Sequence, residues 1–340
     1  MKSAMISSSL PFVTVLTPVY NGEKYLAECI ESVLAQTFKN WEYIIVNNCS
    51  TDGTLTIAQE YARRDSRIQV YTNKDFVGVI ENHNIAFSLI SPTCKYCKVV
   101  SADDRIASNC IDRMVQLAEA HPTVAIVGCY QQSGENVLWK GLPPDKHVVS
   151  GRDLCRLSLL ENLDVFGSPT SVLYRSGVMR NSEPFFPHRL PHADTSACYK
   201  YLQCHDFGFV HEVLSVERVH PYQVSSKVRR LGAGNVASLE NFFTYGPIYL
   251  SETEFEDRKC QLLHGYYRWL GGSVLKMRER EFWKYHASRL RDIGYPMQWR
   301  KVIRATVDEI LDEAQKPSVA FKKLAAVIKV KCQNRRANNS

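Results

Sequence analysis

The sequence predicts an α/β protein with a mostly parallel sheet flanked by helices and a helical C-terminal region. Three observations predict it. Short, wholly apolar β-branched runs alternate with segments of helical spacing over the first 130 residues. Such runs suit strands buried on both faces, as in parallel sheets. The polar residues of this half gather just after the strand patterns, at Asn47-Asn48, Asp52 and Asp103-Asp104. Beyond about residue 231 the strand pattern stops, and long stretches rich in Arg, Leu, Tyr and Trp follow.

Taken in order, Phe12–Thr17 is the first strand, broken by Pro18. Residues 23–36 carry Leu26, Ile30, Val33 and Leu34 at helical spacing. Tyr43-Ile44-Ile45-Val46 is the second strand. Ser50 or Thr51 caps a helix whose Leu55, Ala58 and Ala62 share a face. Ile68–Tyr71 is a strand, residues 79–90 a helix, and Lys98-Val99-Val100 a strand that ends at Ser101-Ala102-Asp103-Asp104. Ile111, Met114, Val115 and Ala118 mark a helix, and Ala125–Gly128 another strand. Residues 131–190 are less regular, with Pro143-Pro144 and Phe185-Phe186-Pro187 marking loops and Val172-Leu173-Tyr174 a strand. Residues 255–291 and 299–315 read as helices, punctuated by Gly271-Gly272 and Gly294-Tyr295-Pro296. The expected organisation is an α/β domain over 10–230, in halves 10–130 and 131–230, then a helical region over 231–340.

Composition bounds the function. The 340 residues are 45% hydrophobic and 23% charged, which argues against disorder and coiled coil. No apolar run is long enough to span a bilayer, and Met1–Phe12 lacks the solid apolar stretch of a signal peptide. The 11 cysteines form no tight framework, so reduced thiols and a cytoplasmic protein are expected. Cys94-Lys95-Tyr96-Cys97 has no partner motif to complete a zinc site. The net charge of +7 is concentrated in residues 316–340, which hold seven Lys and Arg and no acid. A nucleic-acid protein would spread such charge over a folded face. A basic tail points to an anionic surface, such as the cytoplasmic face of a membrane. Phe321, Leu324, Ala325 and Ile328 share one helical face there, which suits either that surface or packing on the core.

Asp103-Asp104 ends a buried strand. Paired carboxylates there suit Mg²⁺ or Mn²⁺ completed by phosphate oxygens, or equally a helix cap. Four segments extend the pattern: Thr17-Pro18-Val19-Tyr20-Asn21-Gly22, Ser32–Phe38, Val46–Thr54 and Asp103-Asp104. In order and spacing they resemble the nucleotide-sugar half of glycosyltransferase family 2, with the GT-A fold. The likeness is strong over 12–130 and continues more weakly to about 225.

The resemblance implies roles. Pro18 and Tyr20 would offer apolar surface to a nucleobase. Asn47-Asn48-Cys49-Ser50-Thr51-Asp52 stands where the family carries D-D-G-S-T-D. Asn48 could still pair with a base edge, because an amide both donates and accepts. Asp52 could bind ribose hydroxyls or cap the helix that follows. Ser101-Ala102-Asp103-Asp104 replaces D-x-D-D, which makes Asp103 the main metal and nucleotide ligand and Asp104 the second. Asp194, in His192-Ala193-Asp194-Thr195, is the expected general base, with a helix cap as its bland role and Asp206 as its competitor. Gly167–Ser171 resembles a loop near the acceptor pocket. His220, with Lys227, Arg229 and Arg230, is expected at the diphosphate, although such a charge run also suits a solvated loop. The implied activity is inverting transfer from a nucleotide-diphosphate sugar, expected to be a UDP-sugar. The implied acceptor is a hydroxyl of a glycan or lipid-linked glycan in cell-surface polysaccharide synthesis. Two other classes remain open: a nucleotidyltransferase, which would show a Gly-rich basic phosphate loop near the first strand, and an inactive nucleotide-sugar-binding module.

Overall fold

The computed structural model describes residues 10–180, 184–187, 192–220 and 223–314; for residues 224, 225, 227, 313 and 314 it describes the backbone alone. The basic tail, 316–340, lies outside the described residues. The chain divides into two units. The first runs to Ser226 and includes Thr244–Leu250; the second takes Lys227–Phe243 and the chain from Ser251 onward.

The first unit begins with alternating elements: β1 (Val13–Val19), α1 (Leu26–Leu34), β2 (Trp41–Asn47), α2 (Thr54–Arg64), β3 (Ile68–Thr72), α3 (Val79–Ser88) and β4 (Tyr96–Val99). β1 pairs in parallel with β2 and β4, and β2 with β3. Nearly every residue of β1 and β2 is buried, which is why neither strand alternates in sequence. α1 buries Leu26, Cys29, Ile30 and Val33, the i, i+3, i+4, i+7 stripe of a helix lying on a sheet. Gln36 closes that helix. Its buried amide donates to the carbonyls of Ser32 and Ala107 and accepts from the Ile111 N–H. One side chain thus satisfies a helix-end carbonyl and fastens the segment after Asp103-Asp104.

The unit continues with β5 (Arg105–Ile106), α4 (Cys110–Ala120), β6 (Val124–Ser133), β7 (Asn136–Leu138), β8 (Val148–Val149) and α5 (Gly151–Glu161). A 3-10 turn, Pro169–Ser171, leads to β9 (Val172–Arg175), α6 (Ser176–Arg180), α7 (Ala193–Tyr201) and β10 (Asp206–Glu217). The main sheet order is β3-β2-β1-β4-β9-β6-β10-β5, with β7 on β6 and β8 on β10. The expectation of a mostly parallel sheet holds from β3 to β4 and for β6 with β10. The rest is antiparallel: β9 inserts between β4 and β6 against both, β5 and β8 run against β10, and β7 folds back on β6. The β6–β7 turn is too short for a parallel crossover, and Gly134 takes the left-handed conformation there (φ 59°).

The second unit holds Lys227–Leu231 of α8 (Val224–Leu231), Ala233–Phe243 of α9 (Ala233–Tyr249), and then α10 (Glu252–Leu275), α11 (Arg280–Asp292) and α12 (Trp299–Ala314). The single helical stretch expected over 255–291 is two helices, parted around Met277, whose φ is 51°. Gly271-Gly272 does not punctuate them, because both lie inside α10. A Cβ on Gly271 would meet the Ala305 carbonyl carbon at 2.6 Å, so this glycine lets α10 and α12 approach backbone to backbone. Val236, Leu239, Tyr266, Tyr267, Leu270, Phe282, Leu290 and Val302 form the core of this unit. No helix among the described residues is long and apolar enough to cross a membrane. The ten described cysteines are free thiols, Cys94 and Cys97 among them.

Candidate active site

The carboxyl ends of β1, β2 and β4 lie side by side, the place where open α/β sheets bind ligands. The turns after β1 and β2 are laced together. Asn21, left-handed at φ 50°, accepts the Thr51 N–H at 2.9 Å and donates its own N–H to Ser50 Oγ at 3.0 Å. Gly22 N–H donates to Thr54 Oγ1 at 2.8 Å, and Gly53 N–H to Glu23 Oε2 at 3.0 Å. The first and third sequence motifs are therefore two sides of one braced turn.

Asp52 is part of that brace. Its Oδ1 accepts the N–H and hydroxyl of Thr54, and its Oδ2 the Glu23 N–H. Burial opposes its charge, but these donors outweigh it and hold the carboxyl below its ordinary pKa. Asn48 is 2% exposed. Its carbonyl accepts from Val77 N–H and Asn73 Nδ2, and its nitrogen donates to the Val77 carbonyl at 2.8 Å. The amide expected to meet a base edge is turned into the 73–77 loop. That loop presents Phe76, 62% exposed, edge-on to Tyr20, 48% exposed, with ring centroids 4.8 Å apart. Pro18 lies half-buried at the end of β1, opposite Val46.

The two adjacent aspartates have opposite surroundings. Asp103 leaves about a third of its side chain exposed (32%), and its Oδ2 is 3.0 Å from His220 Nε2. Asp104 points inward at 6% exposure. Its Oδ2 accepts the Thr170 hydroxyl at 2.6 Å and its Oδ1 the Arg218 N–H at 3.3 Å. Burial pushes the Asp104 carboxyl up to about 7 and the Asp103 charge adds to it, against the pull of these two donors. The loop Gly167–Ser171 is the source of Thr170. Ser168 and Ser171 cap its 3-10 turn reciprocally. Thr170 Oγ1 also accepts the Ser101 N–H at 3.0 Å, and the buried Lys98 ammonium donates to the carbonyls of Thr170 and Val172.

Arg218 and His220 follow β10. The Arg218 guanidinium pairs with Glu28 at 2.5 Å, lies 4.6 Å from the Tyr25 ring centre and donates to the Asp103 carbonyl at 3.4 Å. In neutral His220 the Nε2–H must face Asp103, because a carboxylate only accepts. Its Nδ1 is then a buried lone pair without a hydrogen-bond partner.

Asp194 lies in the first turn of α7, half-buried, and accepts the Thr195 N–H at 2.8 Å. Burial raises its pKa, partly offset by the neighbouring His192 and His83. Asn84 of α3 exchanges two hydrogen bonds with the Phe186 backbone, at 2.8 and 2.9 Å, and pins the 184–187 segment beside His83. Asp206 is elsewhere. It opens β10 and accepts the Thr123 hydroxyl, with the 12-residue strand between it and the Arg218–His220 segment. Of the three expected diphosphate cations, the Lys227 side chain lies outside what is described. Arg229 and Arg230 belong to the second unit, where Arg230 pairs with Glu279 and Glu281.

Phe76, Glu28 and Lys98 were not singled out from the sequence. Phe76 is a lone aromatic after Asn73-Lys74-Asp75, and Lys98 a lone cation in an apolar strand; both signals were legible. Glu28 is one acid among several on an exposed helix face and carries no such signal.

The profile of glycosyl transferase family 2 matches residues 14–180, the stretch that contains the braced turns, Asp103-Asp104 and Thr170. Residues 14–180, just under half of the chain, carry the likeness to family 2 glycosyltransferases. An uncharacterized glycosyltransferase of Haemophilus influenzae is 29% identical over 235 residues, covering 64% of this chain and 68% of that protein. Several other curated relatives are matched over less than half of their length. TuaG of Bacillus subtilis, a putative teichuronic acid biosynthesis glycosyltransferase, is 29% identical over 45% of this chain and 58% of its own. Two solved structures share the fold. Staphylococcus aureus TarS 1–349, in complex with UDP-GlcNAc, matches with TM-score 0.61 and 17% identity over 90% of this chain and 87% of that one. The mannosyltransferase PcManGT of Pyrobaculum calidifontis, in complex with GDP-Man and Mn²⁺, matches with TM-score 0.52 and 15% identity over 90% and 89%. The α/β unit is thus GT-A-like.

Proposed function

We propose that this glycosyltransferase moves a sugar from a nucleoside-diphosphate sugar, UDP in the first instance, to a hydroxyl of a glycan or lipid-linked glycan, inverting the anomeric centre in one displacement. The observation that carries the reading is the split between Asp103 and Asp104 at the carboxyl end of β4. One carboxylate is open and paired with His220; the other is buried and bonded into the fold. Tyr20 and Phe76 take the nucleobase at the neighbouring strand ends. Asn48 and Asp52 act on the nucleotide indirectly, by holding the turn and loop that carry these rings.

Asp103 fits a divalent cation. It offers a hard, partly exposed carboxylate, and the His220 Nε2–H on its Oδ2 orients that carboxylate. No group of three or more His, Cys, Asp or Glu among the described residues could cage a metal, so diphosphate oxygens and water would complete the shell. Bound Mg²⁺ or Mn²⁺ supplies positive charge to the leaving diphosphate. The Mn²⁺ complex of PcManGT supports this choice. Asp104 is a positioning group, with Thr170 and the Arg218 N–H fixing the turn that aims Asp103. Asp194 takes the proton of the attacking hydroxyl; its pKa, raised by burial, suits a general base. TuaG supports a surface-polysaccharide acceptor, and the basic tail supports work at an anionic cytoplasmic membrane face.

The test is a screen of UDP-, GDP- and dTDP-sugars with and without Mn²⁺, read by thermal shift and by release of nucleoside diphosphate. Stabilisation by one nucleotide series, increased by Mn²⁺ and accompanied by turnover, is expected. Stabilisation without turnover on any acceptor preparation would leave a binding module instead.

A further inference from the structure

Trp139 follows β7 in a left-handed conformation, φ 67°. That is a genuine outlier for a bulky side chain, and it persists only where its surroundings impose it. Here the Gly141 N–H donates to the Asp164 carbonyl at 3.2 Å. A Cβ on Gly141 would lie 2.3 Å from Val165 Cγ1, so the 139–141 segment is pressed flat against 164–165.

The indole is fixed as well. Its Nε1–H donates to Gln131 Oε1 at 2.9 Å, and the Ser168 hydroxyl donates to the same oxygen at 3.0 Å. An indole N–H can only donate, so the oxygen of the Gln131 amide must face it and the amide cannot be turned round. This orientation isolates Gln131 Nε2. It is buried, with no hydrogen-bond partner, on a residue only 1% exposed. An amide nitrogen left this way costs about 1–3 kcal/mol unless something accepts from it. Ser168 opens the turn that carries Thr170 to Asp104, so the triad touches the loop that reaches the acid pair.

We propose that Trp139, Gln131 and Ser168 form a pyranose subsite, in which the half-buried indole face packs on the C–H face of a sugar ring and Gln131 Nε2 donates to one of its hydroxyls. The proposal rests on the glycosyl-transfer reading and extends it to residues that no motif marked. Strain at Trp139 and the unpaired amide are separate observations, and one ligand class answers both. The ring could belong to the donor or to the acceptor; the chemistry is the same.

Three variants separate the contributions. Trp139→Ala removes the platform. Gln131→Glu keeps the oxygen that Trp139 and Ser168 use and replaces only the orphan donor. Trp139→Phe keeps a ring without the N–H. One arm compares UDP with UDP-glucose and UDP-GlcNAc by calorimetry in Mn²⁺. The other follows methyl glucoside, methyl galactoside and methyl N-acetylglucosaminide by saturation-transfer NMR, with and without UDP. UDP affinity should stay within about twofold in every variant, and a sugar-bearing probe in one arm should lose on the order of tenfold in Trp139→Ala and Gln131→Glu, the size of one lost hydrogen bond or platform. Trp139→Phe should lose less. The arm that responds identifies donor or acceptor. Equal loss for UDP and for sugar probes would make the triad a brace of the Thr170 loop and overturn the proposal. So would sugar probes that bind all variants alike, or that wild type does not bind. If wild type binds no nucleotide yet holds the methyl glycosides through Trp139, the donor reading fails and the subsite stands.

Discussion

Asp103 Oδ2 and His220 Nε2 are 3.0 Å apart, although 117 positions separate them in the chain. The contact joins the end of β4 to the end of β10, and Arg218 reinforces it through the Asp103 carbonyl. Asp103→Ala should leave the fold intact, because the side chain is partly exposed at the end of its strand. The Mn²⁺-dependent part of nucleotide binding should disappear. A metal titration of nucleotide affinity checks this; an unchanged titration rules Asp103 out as a ligand.

Phe76→Ala should weaken nucleotide binding by about 1–2 kcal/mol, the scale of one lost aromatic contact, and leave the melting temperature within a few degrees. The ring is mostly exposed, so its removal opens no cavity. Asn48→Ala should do similar harm to affinity and also destabilise the chain, since it releases the 73–77 loop. Calorimetry beside thermal melts distinguishes the two.

Asp194→Asn keeps the shape and removes the proton acceptor. Donor affinity should hold while turnover falls on the order of 10²–10⁴-fold. Because burial raises the Asp194 pKa, wild-type kcat should climb as pH rises through a value above the ordinary carboxylate range and then level. The variant should lose that limb of the profile. If Asp206→Asn is the variant that abolishes turnover, the base has been misassigned.

His286 in the second unit makes an acid-sensitive joint. It is fully buried, accepts from Tyr266 OH and donates to the Leu231 carbonyl, and its pKa is depressed to about 4 by burial, with Arg278 adding to the effect. Tyr285 is the other titratable ring against it. Its folded pKa is below the unfolded one, so the unfolded chain takes up the proton first. Stability is complete above about 6.5 and is lost as pH falls towards 4, by roughly 3 kcal/mol in all. Melting temperature should drop over that window in wild type and more gently in His286→Gln, a difference that circular dichroism melts across pH will show.

A chain ending at Gln315 should lose binding to anionic vesicles that the full chain shows at low salt. Each Lys or Arg near such a surface contributes about 1 kcal/mol, and the tail carries seven. Co-sedimentation with neutral and anionic vesicles at two salt concentrations measures it. Equal sedimentation of both chains removes the membrane role.

The parallel strands were legible because full burial writes itself as unbroken apolar runs, as in Tyr43–Val46. β9 was visible as a strand but not in its direction, since direction depends on a path through loops that carry no periodicity. Asp103 and Asp104 could be found from sequence but not told apart. Their difference comes from Thr170 and Arg218, which reach Asp104 from 66 and 114 positions away. Asn48 is ambiguous in sequence for a related reason: an amide is as able to hold a loop as to hold a base, and here its nitrogen and oxygen both meet the Val77 backbone.

That amide also limits how this chain can change. Its Nδ2 donates to the Val77 carbonyl at 2.8 Å while its Oδ1 accepts from the Val77 N–H. Exchanging the one nitrogen for oxygen, as an aspartate would, sets a carboxylate oxygen against a carbonyl across the same gap. The acid that the family pattern favours at this position is therefore the wrong residue for this loop. A consensus substitution here would raise the energy of the folded state and displace Phe76 with it. Position 48 and the 73–77 loop can only be exchanged together, so grafts between relatives must carry both.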